Sequence, residues 1–101
     1  MDDQYKAYYK RATDLKYRLE DVVDDHNHPQ IQQLKREVHG LVDDFEMQKD
    51  PRHTENRLKT IEHELMQTRN HGESLMSFRE IDSLQHEVRD LRAHVRTHPN
   101  Y

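Results

Sequence analysis

The sequence predicts an all-α fold: an antiparallel bundle of four helices whose apolar residues form coiled-coil-like heptad seams. Three observations lead there. Apolar residues recur at alternating spacings of three and four along most of the chain, the rhythm of one stripe on an α-helix. Pro29, Pro51 and the run Asn70-His71-Gly72 break the chain at intervals of about twenty residues, where helices would end. Two glycines and three prolines in 101 residues, 36% of them charged, leave too few turn residues for an all-β domain.

The expected helices span approximately 3–26, 29–48, 51–70 and 74–97, in one domain covering 1–101. In the first, Tyr5, Tyr8, Ala12, Leu15, Leu19 and Val22 follow the 3, 4, 3, 4, 3 rhythm. Asp14 and Arg18 stand in the favourable order for an i, i+4 ion pair. The segment ends near Asp25-His26-Asn27-His28, because Pro29 cannot continue it but suits the first position of a new helix. Ile31, Leu34, Val38, Leu41 and Phe45 then repeat the rhythm. Gly40 falls off this seam; an exposed, tolerated glycine is expected, at a cost of about 1 kcal/mol relative to Ala, with a close approach or a bend as the alternative. Asp50 is placed to cap the third helix, with Pro51 in its first turn. Leu58, Ile61 and Leu65 form its seam with Met66 beside them, and Glu55 and Lys59 form a second i, i+4 pair. Gly72 suits a left-handed stop, Ser74 a following cap, and Leu75, Phe78, Ile81, Leu84, Val88, Leu91 and Val95 the last seam. Links this short favour antiparallel neighbours.

An alternative architecture follows from phase. Leu58, Ile61, Leu65, Thr68, Gly72 and Leu75 stay in register across the proposed third break. The steps Leu75 to Phe78 to Ile81 would then be a stammer within one helix. That reading gives three helices, the last a rod of about 45 residues and about 70 Å at about 1.5 Å per residue, paired in a dimer.

Composition excludes several classes. No run of 18 apolar residues exists, so nothing spans a membrane. The start MDDQYKAYYKR has no apolar signal region and Cys is absent, so a cytoplasmic chain without disulfides or thiolate chemistry is expected. Val, Ile, Leu and Phe together number only twenty. A core that small is thin against the entropy of ordering the chain, so association with another protein or a second copy, as a homo-oligomer, is expected. Residues 1–50 carry twelve acids and eight bases, and residues 51–101 eight of each. The acids Asp21, Asp24 and Asp25 collect at a helix C-terminus, where the dipole disfavours them.

Nine histidines stand out. Asp90, His94 and His98 recur every four residues and could present an Asp and two imidazoles to Zn²⁺ on one helix face. His26 and His28 beside Asp24 and Asp25 form a second such group. No H-E-x-x-H or paired E-x-x-H motif accompanies them, so surface histidines are the plainer reading and no cofactor is expected. Full protonation would move the formal charge from −4 to +5, which makes a histidine-based pH or metal switch the alternative function. A further alternative is nucleic-acid binding through Arg89, Arg92 and Arg96, with Lys6, Tyr8, Tyr9, Lys10 and Arg11 at the other end. Glu87 and Asp90 interrupt the arginines and the isoelectric point is near 6.1, so nucleic acid is a poor fit.

Catalysis finds little support. There is no glycine-rich phosphate loop or nucleophile elbow, and the carboxylates fall mostly off the seams, solvated and untuned. Mixed charge on every polar face argues against membrane-surface binding, and no small-molecule substrate is expected. The expected function is therefore non-catalytic protein–protein interaction by a small adaptor, assembly factor or regulator, through helix–helix packing and self-association. Phe78, Leu84, Val88, Leu91 and Val95, the longest and least acidic seam, are the expected contact residues.

Overall fold

A computed structural model of the chain describes residues 3–22, 28–47, 50–72 and 75–97, with side chains from Lys6 onward. Four helices follow one another: α1 (Asp3–Glu20), α2 (Pro29–Glu46), α3 (Pro51–Asn70) and α4 (Phe78–Thr97). Each packs antiparallel to the next, α1 on α2, α2 on α3 and α3 on α4, and α4 returns beside α1. The radius of gyration is 13.3 Å and the long dimension 41 Å. That radius matches the ~13 Å expected of a compact chain of about 100 residues; the 70 Å rod is not formed.

Each break has a local cause. At the start of α2, Pro29 occupies the first turn and the His28 imidazole Nδ1 accepts from the Gln30 N–H at 3.2 Å. The Asp50 carboxylate accepts from the Arg52 N–H at 2.7 Å, with Pro51 beside it, to begin α3. Beyond α3, Gly72 takes φ +74°, a conformation strained for any residue with a Cβ. That turn divides the in-phase run from Leu58 to Leu75 into two antiparallel helices.

Two boundaries differ from those read in the sequence. The first helix stops at Glu20, followed by a turn at Asp21 and Val22; acids there oppose the negative end of the helix dipole. The last begins at Phe78 instead of 74, because Ser77 Oγ accepts from the Glu80 N–H at 3.2 Å. Ser77 and Glu80 thus stand at capping-box spacing. Ser74, His26, Asp24, Asp25, His98 and the Tyr5 side chain lie outside what is described.

The heptad seams meet in one core. Tyr8, Ala12, Leu15 and Leu19 face Ile31, Leu34, Val38, Leu41 and Phe45, and Tyr8 and Phe45 stack tilted at 5.7 Å between ring centres. Leu58, Ile61 and Leu65 line α3, and Ile81, Leu84, Val88, Leu91 and Val95 line α4. Thr54 and Thr68 extend the α3 seam by one step at each end, both fully buried. Their hydroxyls donate to the carbonyls of Asp50 and Glu64 one turn back, so a polar atom enters the core already satisfied. Met76, not Phe78, fills the end of the bundle: Met76 is buried, whereas Phe78 is 37% exposed under the Arg69 guanidinium. With the chain broken at Gly72, no stammer is needed. Among the described residues no helix is long and apolar enough to cross a membrane.

Candidate functional site

The contact residues read from the sequence separate into two environments. Leu84, Val88, Leu91 and Val95 are at most 1% exposed, covered by the chain's own helices. A partner could reach them only by opening the bundle. Phe78 alone of the five faces solvent. The stripe turns inward because the three other seams supply enough apolar surface to close a core in one chain.

Of the metal-ligand candidates, His94 Nε2 lies 3.9 Å from Asp90 Oδ1 on the outer face of α4. His98 lies outside the described residues. Asp90 is already engaged: Arg11 Nη2 donates to its Oδ2 at 2.7 Å and to Glu87 Oε2 at 3.2 Å. Among the described residues no three His, Asp or Glu side chains converge as a metal cage would need. At the far end of the bundle, His28 and His71 meet edge to face with ring centres 5.1 Å apart.

The arginine hydrogen bond, opposed by desolvation and reinforced by the charges of Arg11, His94 and His86, lowers the Asp90 pKa below 3.8. A lowered carboxylate contributes stability that is present above its ordinary pKa and lost as pH falls below it. The Arg11–Asp90 link between α1 and α4 should therefore persist at every pH above 3.8. In thermal melts, Asp90→Asn should be less stable than the parent chain at neutral pH, and the difference should fade as pH falls through the lowered Asp90 pKa.

The three arginines of the nucleic-acid reading are each held by a carboxylate of α3. Arg89 Nε and Arg92 Nη1 donate to the two oxygens of Glu62 at 2.7 and 2.8 Å. Arg96 Nη2 lies 3.0 Å from Glu55 Oε1, with Lys59 at 4.0 Å from the same oxygen. The stripe is thus a ridge of bridges between α3 and α4, with Arg89 and Arg96 side chains still 60% and 64% exposed. The i, i+4 pair expected at Asp14 and Arg18 does not form. Arg18 reaches across to α4, donating to Glu80 at 3.2 Å and to the Ser83 hydroxyl at 2.8 Å.

Two features were not anticipated. The first is a cluster between α2 and α3: Arg57 Nε donates to Asp44 Oδ2 at 2.8 Å and Nη1 to Glu37 Oε2 at 3.0 Å. His53 Nε2 lies 3.3 Å from the other Asp44 oxygen, and the Asp44 side chain is only 6% exposed. Burial works to lower the Arg57 pKa, but the hydrogen bonds and charges of Asp44 and Glu37 more than reverse it, and the net shift is upward. Gly40 makes room for the guanidinium: a Cβ there would sit 2.5 Å from Arg57 Nη1. The glycine is a close approach, not an exposed, tolerated residue. Its signal is in the sequence: Glu37, Gly40 and Asp44, at steps of three and four, put two carboxylates astride a glycine on one face.

The second feature is a furrow between α1 and α4, which approach each other less closely than the other neighbouring pairs. Two open depressions, of about 510 and 260 Å³, meet at Arg18. Val22, Leu75 and Met76 lie at one end and Leu15 at the other. By contrast, the space among the core side chains of all four helices is about 10 Å³, room for no more than a water. No family model, curated protein or solved structure matches this chain.

Proposed function

We propose that this chain is a non-catalytic protein–protein interaction module, a small adaptor, assembly factor or regulator that works through helix–helix packing and self-association. The furrow between α1 and α4 carries this reading. It is an open trough between two helices, with apolar residues at its ends and charged residues along its walls, a shape suited to receiving another helix. The core supports the same reading: the space among the Leu15, Leu34, Ile61 and Leu84 side chains is about 10 Å³, too small for a small-molecule substrate. Light scattering coupled to size-exclusion chromatography over a dilution series tests it. The mass should rise above 12.3 kDa as concentration increases; a mass that stays there up to the solubility limit would remove self-association from the proposal.

A further inference from the structure

We infer that the occupant of the α1/α4 furrow is a second copy of this chain, which inserts the arginine ridge of its α3/α4 face. The inference rests on the interaction reading above and adds the surfaces that meet.

Charge complementarity carries it. The furrow is walled by the acids Asp14, Asp21, Glu80 and Glu87 and the bases Arg11 and Arg18, an excess of two negative charges. Both bases are consumed by α4 carboxylates. Asp14 and Asp21 are exposed and carry no ion pair among the described residues. The ridge has the opposite balance: among the described residues, Lys59, Arg89, Arg92 and Arg96 share Glu55 and Glu62, an excess of two positive charges.

Spacing agrees as well. Asp14 and Asp21 are seven residues apart, and Asp21 keeps the helical register because its N–H donates to the Tyr17 carbonyl at 3.2 Å. Arg89 and Arg96, the most exposed ridge cations, are also seven apart. Two turns of helix, about 10 Å at about 1.5 Å per residue, separate the members of each pair. One helix laid along the furrow thus brings both arginines to both aspartates in a single register. Between the two arginines stand the part-exposed Arg92, held by Glu62, and the small, exposed Ala93. Furrow and ridge are different surfaces of one chain, so the contact is head-to-tail and does not stop at two copies unless it closes into a ring. Exposed charges in this number make it weak and strongly dependent on salt.

Complementary charge reversal tests the inference on the full chain. Asp14→Lys/Asp21→Lys makes the furrow basic, and Arg89→Glu/Arg96→Glu makes the ridge acidic. Sedimentation equilibrium of the parent chain at low ionic strength should show masses growing past a dimer, and high salt should return it to 12.3 kDa. Each double variant alone should remain monomeric where the parent associates, at least about a tenfold loss of affinity, and an equimolar mixture of the two should associate again. Circular dichroism checks that both fold; if the acidic ridge repels Glu55 and Glu62 enough to unfold the chain, Arg89→Gln/Arg96→Gln replaces it and should also be monomeric. Association that survives either reversal would overturn the furrow-and-ridge contact while leaving the interaction reading in place. A parent chain that is monomeric at every concentration and ionic strength would overturn self-association itself.

Discussion

Replacing Leu91 by Asp unfolds the chain. Leu91 has no exposed surface and sits mid-way along the α4 seam, among the core residues of the bundle. An ionised carboxylate there would be buried within the hydrophobic core cluster, and burying one unpaired costs several kcal/mol or more. Domains of this kind have only about 5–15 kcal/mol of total stability, so the helical circular dichroism signal should be lost at room temperature. Leu91→Ala should stay folded and lose about 2–5 kcal/mol in urea denaturation, the range for a buried leucine replaced by a small side chain. The contrary outcome is specific. A Leu91→Asp chain that keeps full helicity and loses only association would mean that the α4 stripe faces outward and serves a partner directly.

Removing the guanidinium from the α2/α3 cluster should have the next largest effect. Arg57→Ala leaves the Asp44 carboxylate, 6% exposed, with His53 as its remaining ion-pair partner among the described residues and Glu37 without this cation. Stranding one member of a buried pair costs about 3–5 kcal/mol; the lower end applies here, because Arg57 itself remains a quarter exposed. Asp44→Leu/Arg57→Leu should recover most of that loss, since a well-packed apolar pair can replace a buried ion pair. Gly40 gives the same cluster a test of sign. With Arg57 present, Gly40→Ala forces its Cβ into the guanidinium and should destabilise. In the Arg57→Ala chain the same change should stabilise by about 1 kcal/mol, the helix propensity difference between Gly and Ala. Chemical denaturation of the five chains, the parent included, reads these effects, and Gly40→Ala acting alike in both backgrounds would show that the close approach is not what holds the glycine there.

The fold was legible because its rules are local and repetitive. Pro29, Asp50 with Pro51, and Gly72 act on their own neighbours, so their effects follow from sequence order alone. The seams from Tyr8 to Leu19 and from Ile31 to Phe45 repeat often enough that one misplaced residue does not alter the phase. Legibility ended where two helices had to be placed against each other. The choice at Phe78 depended on whether the chain turned at Gly72, and once it does, Met76 is carried to the bundle end and Phe78 to the surface. Arg18 was read as the i, i+4 partner of Asp14, yet an arginine has the reach to choose a carboxylate on another helix, here Glu80 with Ser83. Asp44 looked like one more solvated acid. Its burial follows from Arg57, 13 positions away, and only the stripe Glu37, Gly40 and Asp44 hinted at it. The candidate contact surface was the least legible part: the seam named for it is the protomer's own core, and the furrow arises from the imperfect closure of α4 against α1.

In this fold one chain closes its four stripes on itself. Small-angle X-ray scattering, at high ionic strength and extrapolated to zero concentration, tests this most directly. It should return the mass of a single chain with a radius of gyration close to 13.3 Å and a longest dimension not far above 41 Å. A particle of two chains with a longest dimension near the ~70 Å of a continuous 45-residue helix would contradict it.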